Sequence, residues 1–331
     1  MASGEFDLIA RYFTRPTRRQ PLGVGDDCAL LAPQAGRHLA VSSDMLVEGR
    51  HFLSTVAPEH LGHKALAVNL SDLAACGAKP MAYTLALALP RMDATFLAGF
   101  AQGLHRLADE HGIELVGGDT TAGPLNICIT VFGEVPHGQA LLRSGARAGD
   151  DIWVSGQLGD ARLGLEALRG TVALSKADFT HARRALECPT PRVALGLALR
   201  GVARSAIDLS DGLVGDLRHI LARSASHAPI RATLDIDALP RSGALRRQSR
   251  TRQHLCLMSG GDDYELLFTA EPAKRAQVLA AAAQSDTPVS RIGRMEAATT
   301  TTSPDEALIR VLDAQGMPLS TPWTSFDHFT T

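Results

Sequence analysis

A two-domain α/β (α+β) protein is the architecture this sequence predicts, on three observations. The chain has 331 residues, enough for about two domains at roughly 100–200 residues each. Strand-like apolar stretches alternate with helix-like ones along both halves, the pattern of layered α/β or α+β domains. Each half carries short loops of Gly, Ser and Asp beside apolar stretches, and a polar, glycine-rich segment at 138–151 lies between the halves. The division is placed at 1–138 and 139–331.

Phe6, Ile9, Ala10 and Phe13 recur at helical spacing, so an amphipathic helix opens the chain. An arginine-rich stretch at 15–19 leads into Gly23-Val24-Gly25-Asp26-Asp27. A short strand at 39–42 is expected to deliver Asp44 at its end. Pro58 suits the first turn of a helix running to about Cys76, which Gly77 stops. Lys64, Asn69 and Asp72 share one face of that apolar helix, a stripe expected to face a wet pocket. An apolar strand at 81–89 ends at Pro90, and Asp93 caps a helix closed by Gly112 after His111. Strands at 114–116 and 127–135 follow, with Asp119 in the loop between them.

The second half begins with a strand at 151–155. Helices are expected near 160–169, 177–187, 192–202, 213–224 and 272–284, and strands near 204–208, 230–236, 255–258 and 264–269. Residues 297–303 read as a low-complexity loop, and the tail from Pro318 is short and bears aromatic residues. Because both halves contribute acidic loops, the ligand site is expected between the domains or across both.

Bulk composition excludes several classes. Hydrophobic residues make up 45% and charged residues 21%, as in an ordinary globular protein. A formal net charge of −2 gives no electrostatic case for nucleic acid or an anionic membrane. The basic run at 241–252 holds five arginines but no aromatic residue, and reads as a solvated surface segment. The five cysteines are far apart and form no Cys-x-x-Cys, which argues against disulfides or zinc and fits a reducing compartment. The N-terminus carries acids where a signal peptide carries lysines, and no apolar run approaches the roughly 18 residues of a membrane span. A cytoplasmic location is expected.

The chemistry lies in the acids. Gly25-Asp26-Asp27, Ser42-Ser43-Asp44, Ser71-Asp72, Gly117-Gly118-Asp119, Asp208-Leu209-Ser210-Asp211-Gly212 and Gly260-Gly261-Asp262-Asp263 pair short acids with Gly or Ser. One such pair is an ordinary turn; six of them near apolar segments are not. Carboxylates and hydroxyls are hard oxygen ligands suited to Mg²⁺, which a few carboxylates hold together with substrate phosphates. Asp208 to Gly212 follows an apolar strand and opens a helix, where backbone N–H groups favour phosphate. No Walker A loop, kinase His-Arg-Asp, His-Glu-x-x-His, Gly-x-Ser-x-Gly or complete dinucleotide fingerprint occurs.

These segments, with Gly4-Glu5-Phe6, the helix motif from Lys64 to Ala75, Gly117-Gly118-Asp119-Thr120-Thr121, Asp262-Asp263-Tyr264-Glu265-Leu266 and the closing Trp323 and Asp327-His328-Phe329, resemble the thiamine-monophosphate kinase family. The order and spacing run over nearly the whole chain. The resemblance implies an aminoimidazole ribonucleotide synthetase-like fold whose N-terminal sheet pairs across a homodimer. It also implies ATP-dependent phosphorylation of thiamine monophosphate to thiamine diphosphate, the last step of that cofactor's biosynthesis, with several Mg²⁺ ions and no general base. By position Asp27, Ser42, Ser43, Asp44, Asp72, Asp119, Asp208 and Asp211 become metal ligands. Gly118, Asp119, Arg143 and Ser210 touch ATP, and His51, Asp262 and Trp323 hold the thiamine phosphate.

Two positions depart from the family pattern: Ser43 stands where Thr is common, and Asp262 where the longer Glu is common. The competing expectations are another ATP-dependent synthetase of the superfamily, or a sensor that binds these ligands without turnover. A selenophosphate-type synthetase needs a reactive Cys near its N-terminus, whereas Cys28, flanked by Ala29 and Leu30, reads as a packed side chain.

Overall fold

The computed structural model describes residues 5–225, 229–298, 308–319 and 323. Two units emerge, one of Met1–Leu73 with Ala78–Gly138 and the other of Ala74–Gly77 with Gln139–Thr331.

In the first unit the expected opening helix is split. α1 (Glu5–Leu8) passes into a wide π turn at Ile9–Phe13, which buries Phe13. Then come β1 (Arg37–Val47), α2 (Pro58–Ala75), β2 (Lys79–Leu89), α3 (Ala94–His111), β3 (Glu114–Ala122) and β4 (Asn126–Pro136). The sheet order is β1-β4-β2-β3. β2 and β3 are parallel and joined through α3, while the other pairs are antiparallel. The caps of α3 agree with the sequence: the Asp93 carboxylate accepts from the Thr95 and Phe96 amides at 3.0 Å, and Gly112 closes the helix at φ 60°.

Three expectations are corrected here. Asp44 lies inside β1, opposite Ile129, and Asp119 lies inside β3, opposite Ala86. Ser-Ser-Asp and Gly-Gly-Asp read locally as loops, but ladder pairing to neighbouring strands overrides that preference. The polar stripe of α2 is buried at two of its three positions: Lys64 is 2% exposed and Asn69 0%, while Asp72 is half-buried. Lys64 Nζ donates to the His51 carbonyl at 3.2 Å, and Asn69 Nδ2 donates to the Ala65 carbonyl at 3.0 Å.

The second unit holds β5 (Asp151–Ser155), α4 (Asp160–Leu168), α5 (Lys176–Glu187), α6 (Val193–Ala198), β6 (Ser205–Asp208), α7 (Leu213–Ser224) and β7 (Ile230–Asp235). α8 (Gly243–Arg246), α9 (Arg250–Ser259), β8 (Leu266–Ala270), α10 (Arg275–Gln284), β9 (Val289–Ala297) and β10 (Ile309–Leu312) complete it. The strands order as β10-β7-β9-β5-β8-β6, with β10–β7 the parallel pair. Val154, Ile207, Leu217, Leu257 and Leu267 are buried together in its core, which fixes β6 and α7 relative to each other.

Residues 255–258, expected as a strand, belong to α9, whose N-cap Ser249 accepts from the Arg252 amide. β9 and β10 had no counterpart in the sequence reading. The basic run is not wholly solvated either. Arg241 is 7% exposed and bonds the carbonyls of Leu239 and Ile236 and the Gln253 side chain. Most of the low-complexity stretch, and Gly4 and Asp327-His328-Phe329, lie outside the described residues. Among the described residues no helix is long and apolar enough to cross a membrane.

Candidate active site

In the first unit the tandem acids sit at the tip of a loop whose base is closed by the Leu30 amide bonding the Leu22 carbonyl at 3.1 Å. Gly25 has φ +126°, and the Asp27 amide donates to Asp26 Oδ1 at 2.9 Å. Asp26, Asp27 and Cys28 are all exposed. The packed-cysteine expectation is therefore corrected: the flanking Ala29 is half-buried, while the thiol-bearing residue faces out. A cavity of about 660 Å³ brings Asp26 and Asp27 together with Gly118, Asp119 and Thr120.

Gly118 is required there. It has φ +146°, and a Cβ would stand 1.8 Å from the Leu85 carbonyl oxygen of the neighbouring strand. Without a side chain at 118, β3 pairs closely with β2 and presents Asp119 beside a bare backbone.

Strand alternation sorts Ser42, Ser43 and Asp44 of β1. Ser42 and Asp44 turn toward α2, where Ser42 Oγ hydrogen-bonds the Asp72 carboxylate and the Asp44 amide donates to Asn69 Oδ1 at 3.1 Å. Ser43 turns to the opposite face, 3.0 Å from Thr130 Oγ1. Cross-strand pairing through Met45, Cys128 and Ala86 places Asp119 on that same face. Ser42, Asp44 and Asp72 thus form one group, and Ser43 stands with Asp119 across the sheet. His51 caps the end of β1: its Nδ1 accepts from the Val47 amide at 2.9 Å, so the neutral ring carries its proton on Nε2.

The second unit fuses its two acidic loops. The Leu209 amide donates to the Glu265 carbonyl, the Asp262 amide to the Ser210 carbonyl and the Tyr264 amide to the Leu209 carbonyl, at 2.8, 2.9 and 2.8 Å. Asp262 and Tyr264 adopt φ +64° and +49°, uncommon for residues with side chains and held here by those bonds. Tyr264 Oη reaches Asp262 Oδ1 at 3.4 Å. Asp208 is buried at the end of β6, and Ser210 and Asp211 follow it half-buried. Arg143 is exposed, on a segment tied to β6 through the Ala206 amide bonding the Leu142 carbonyl at 2.8 Å. Trp323 is half-buried and packs against the apolar core of this unit.

Three acids in these loops and the helix that follows were not assigned from sequence. Asp216, in the first turn of α7, accepts from the Asp211 amide at 3.2 Å. Burial, then the nearby charges of Asp208 and Asp211, push its carboxyl up to about 8. Its sequence signal is an acid in the first turn of a helix that follows an acidic loop. Glu265 is buried and clamped by Arg192, Nε to Oε2 at 2.6 Å and Nη2 to Oε1 at 2.5 Å, with Ser155 Oγ also on Oε2 at 2.5 Å. The next acid, Asp263, receives the Gly159 amide at 2.9 and 3.1 Å, and burial drives its carboxyl well above the usual range.

Among the described residues, no three His, Cys, Asp or Glu side chains form a group that could hold a metal ion by themselves. Mg²⁺ rarely uses such all-protein cages and instead shares one or two carboxylates with waters and substrate phosphates. The donor set of carboxylates and hydroxyls fits that ion.

Residues 25–135 match the family described as AIR synthase related protein, N-terminal domain. The chain is 45% identical over 337 residues to the thiamine-monophosphate kinase of Salmonella typhimurium, covering all of both chains. Identity to the Escherichia coli K12 thiamine-monophosphate kinase is 44% over 336 residues, again over all of both. Among solved structures, the thiamine-monophosphate kinase of Stenotrophomonas maltophilia superposes with a TM-score of 0.81 at 44% identity, over 92% of this chain and 94% of that one. AaThiL complexed with AMPPCP and TMP superposes with a TM-score of 0.75 at 28% identity, over 90% and 89%.

Proposed function

The chain belongs to the thiamine-monophosphate kinase family, and from that membership we propose a direct, in-line transfer from ATP to thiamine monophosphate at its acidic loops. The coarse activity is that of the family: an ATP-dependent phosphotransferase that makes thiamine diphosphate. A phosphate oxygen of thiamine monophosphate attacks the γ-phosphorus of ATP as the bond to the β–γ bridging oxygen breaks, and ADP leaves. The acceptor oxygen is already anionic, so no general base is needed, in keeping with a site rich in Asp.

One observation carries this reading: the loops bearing Asp208, Asp211 and Asp262 are fused by three backbone hydrogen bonds, from Leu209 to Glu265, Asp262 to Ser210 and Tyr264 to Leu209, which gathers their acids in one place. Such concentrated negative charge repels polyphosphate unless divalent cations intervene. Several Mg²⁺ ions would supply charge neutralisation between the two polyanionic substrates. For those ions we assign Asp27, Ser42, Ser43, Asp44, Asp72, Asp119, Asp208 and Asp211 as ligands. Gly118 and Asp119 present bare backbone and a carboxylate to ATP, Ser210 offers its hydroxyl, and Arg143 clamps a phosphate through its forked guanidinium. His51, Asp262 and Trp323 position the thiamine phosphate. To residues 1–138 we assign ATP and Mg²⁺ binding and dimerisation, and to residues 139–331 nucleotide and substrate binding.

The first sheet supports a homodimer. Leu39, Val41 and Met45, on the face of β1 away from α2, are 43%, 57% and 54% exposed. An apolar stripe of this kind on an exposed sheet face marks an interaction surface. Five cysteines far apart in sequence, with no Cys-x-x-Cys, suit a reducing compartment, and we assign the enzyme to the cytoplasm.

The deciding experiment is product analysis of purified protein with ATP, Mg²⁺ and either thiamine monophosphate or thiamine. Thiamine diphosphate and ADP are expected from the monophosphate alone. ATP consumption only with another acceptor would refute the substrate assignment.

A further inference from the structure

Away from the acidic loops, a cavity of about 220 Å³ opens in the first unit between the segment around Arg15 to Arg19, the C-terminal end of α3 and the start of β3. It shares only Leu115 with the cavity that holds Asp27 and Asp119. Tyr83, on β2, forms part of its wall and is 0% exposed. The Tyr83 hydroxyl has no hydrogen-bond partner among the described residues. A buried polar group left unpaired costs free energy, so such an orphan calls for an explanation, and a ligand that pairs with it supplies one. Burial also raises the phenol's pKa, so it stays a neutral donor.

The charges around it favour an anion. The two carboxylates present are already answered. Asp109 pairs with Arg15 at 3.0 Å, and Glu114 receives the Arg18, Arg19 and Gln20 amides at 2.8, 3.2 and 3.3 Å. Arg19 Nη1 is taken by the Gly112 carbonyl at 2.6 Å. Arg18 remains: its backbone amide is bonded, but its guanidinium has no partner among the described residues and stands exposed at the mouth. His105, with Nε2 2.9 Å from the Tyr12 carbonyl, adds a neutral wall rather than a competing charge.

From this geometry we infer that the cavity is a second binding site for a small oxyanion of the phosphate or pyrophosphate class, held by the Tyr83 hydroxyl and the Arg18 guanidinium. A planar donor fork and a fixed phenol donor suit the oxygens of one phosphate group. The site requires no metal, which separates it from the acidic loops, where bare carboxylates repel the same ligand.

The test is calorimetric titration with inorganic phosphate and with pyrophosphate, in EDTA, at ionic strength matched with chloride. Wild-type protein is expected to bind one or both, and the stronger ligand identifies the preferred anion. Tyr83→Phe and Arg18→Gln should each weaken binding tenfold or more, while Asp119→Asn leaves it unchanged. Tyr83→Phe should melt at or above the wild-type temperature, since it removes an unpaired buried group. Should that variant fail to fold, Arg18→Gln decides, because an exposed side chain can be changed without touching the core. No binding by wild type, retained binding in Arg18→Gln, or loss in Asp119→Asn would overturn the assignment.

Discussion

Asp211 and Glu265 sit in the same fused loops but do different work, and single substitutions separate them. Asp211→Asn keeps size and shape while deleting one anionic oxygen donor. We expect kcat to fall by about 100-fold, the scale of losing one electrostatic contact in a transition state, with unchanged far-UV circular dichroism. Near-wild-type turnover would remove Asp211 from the metal-binding set. Glu265→Gln acts on stability instead. It leaves the Arg192 guanidinium, bonded bidentately in a buried setting, without its counter-charge. Breaking one side of a buried pair costs about 3–5 kcal/mol, to be read as a lowered urea midpoint. At this scale the acidic segments stand out in the sequence only as a set, since a single run of Gly, Ser and Asp is an ordinary turn. Asp216 and Glu265 were not assigned, because their roles arise from tertiary contacts. Arg192 and Ser155 lie 73 and 110 positions from Glu265.

At the scale of elements, β3 shows why a loop-like motif can be a strand. Gly117 and Gly118 weaken intrinsic strand preference, yet close pairing to β2 needs the missing side chain at 118. Gly118→Ala should therefore prise β3 from β2 and tilt Asp119. A misplacement of about 1 Å can cost on the order of 100-fold in kcat/KM, and the loss should come with weaker ATP binding measured by titration. Unchanged ATP affinity would mean that Asp119 does not depend on that pairing. α3 was legible end to end because Asp93 and Gly112 are chemical stop signs that act locally. Leu255-Cys256-Leu257-Met258 was misread, since a short apolar run fits a strand or a buried helix equally. There the cap Ser249 and burial against α7 decide for helix.

For the whole molecule, two properties integrate many residues. The apolar stripe of β1 should hold the dimer, so Val41→Glu should yield a monomer by light scattering, and a wild-type monomer would remove the proposal. The pH dependence of stability is subtler because buried groups oppose one another. Asp216 has a folded pKa raised to about 8, so its contribution is present at low pH and is lost as pH rises through that value. His105, His111 and His254 are shifted the other way, chiefly by burial, below the ordinary 6.5. For them the folded state resists protonation while the unfolded chain accepts it. Their contribution is complete above 6.5 and is lost as pH falls through the lowered folded values. The net curve mixes both signs, so the histidine effect is read as a difference between two proteins. His105→Gln keeps a nitrogen donor for the Tyr12 carbonyl but cannot take up a proton. Between pH 7.5 and 5.5, melting followed in EDTA should shift less favourably for wild type than for His105→Gln, by a few degrees. Parallel curves would mean that His105 titrates alike in both states and that burial at the end of α3 does not exclude its proton.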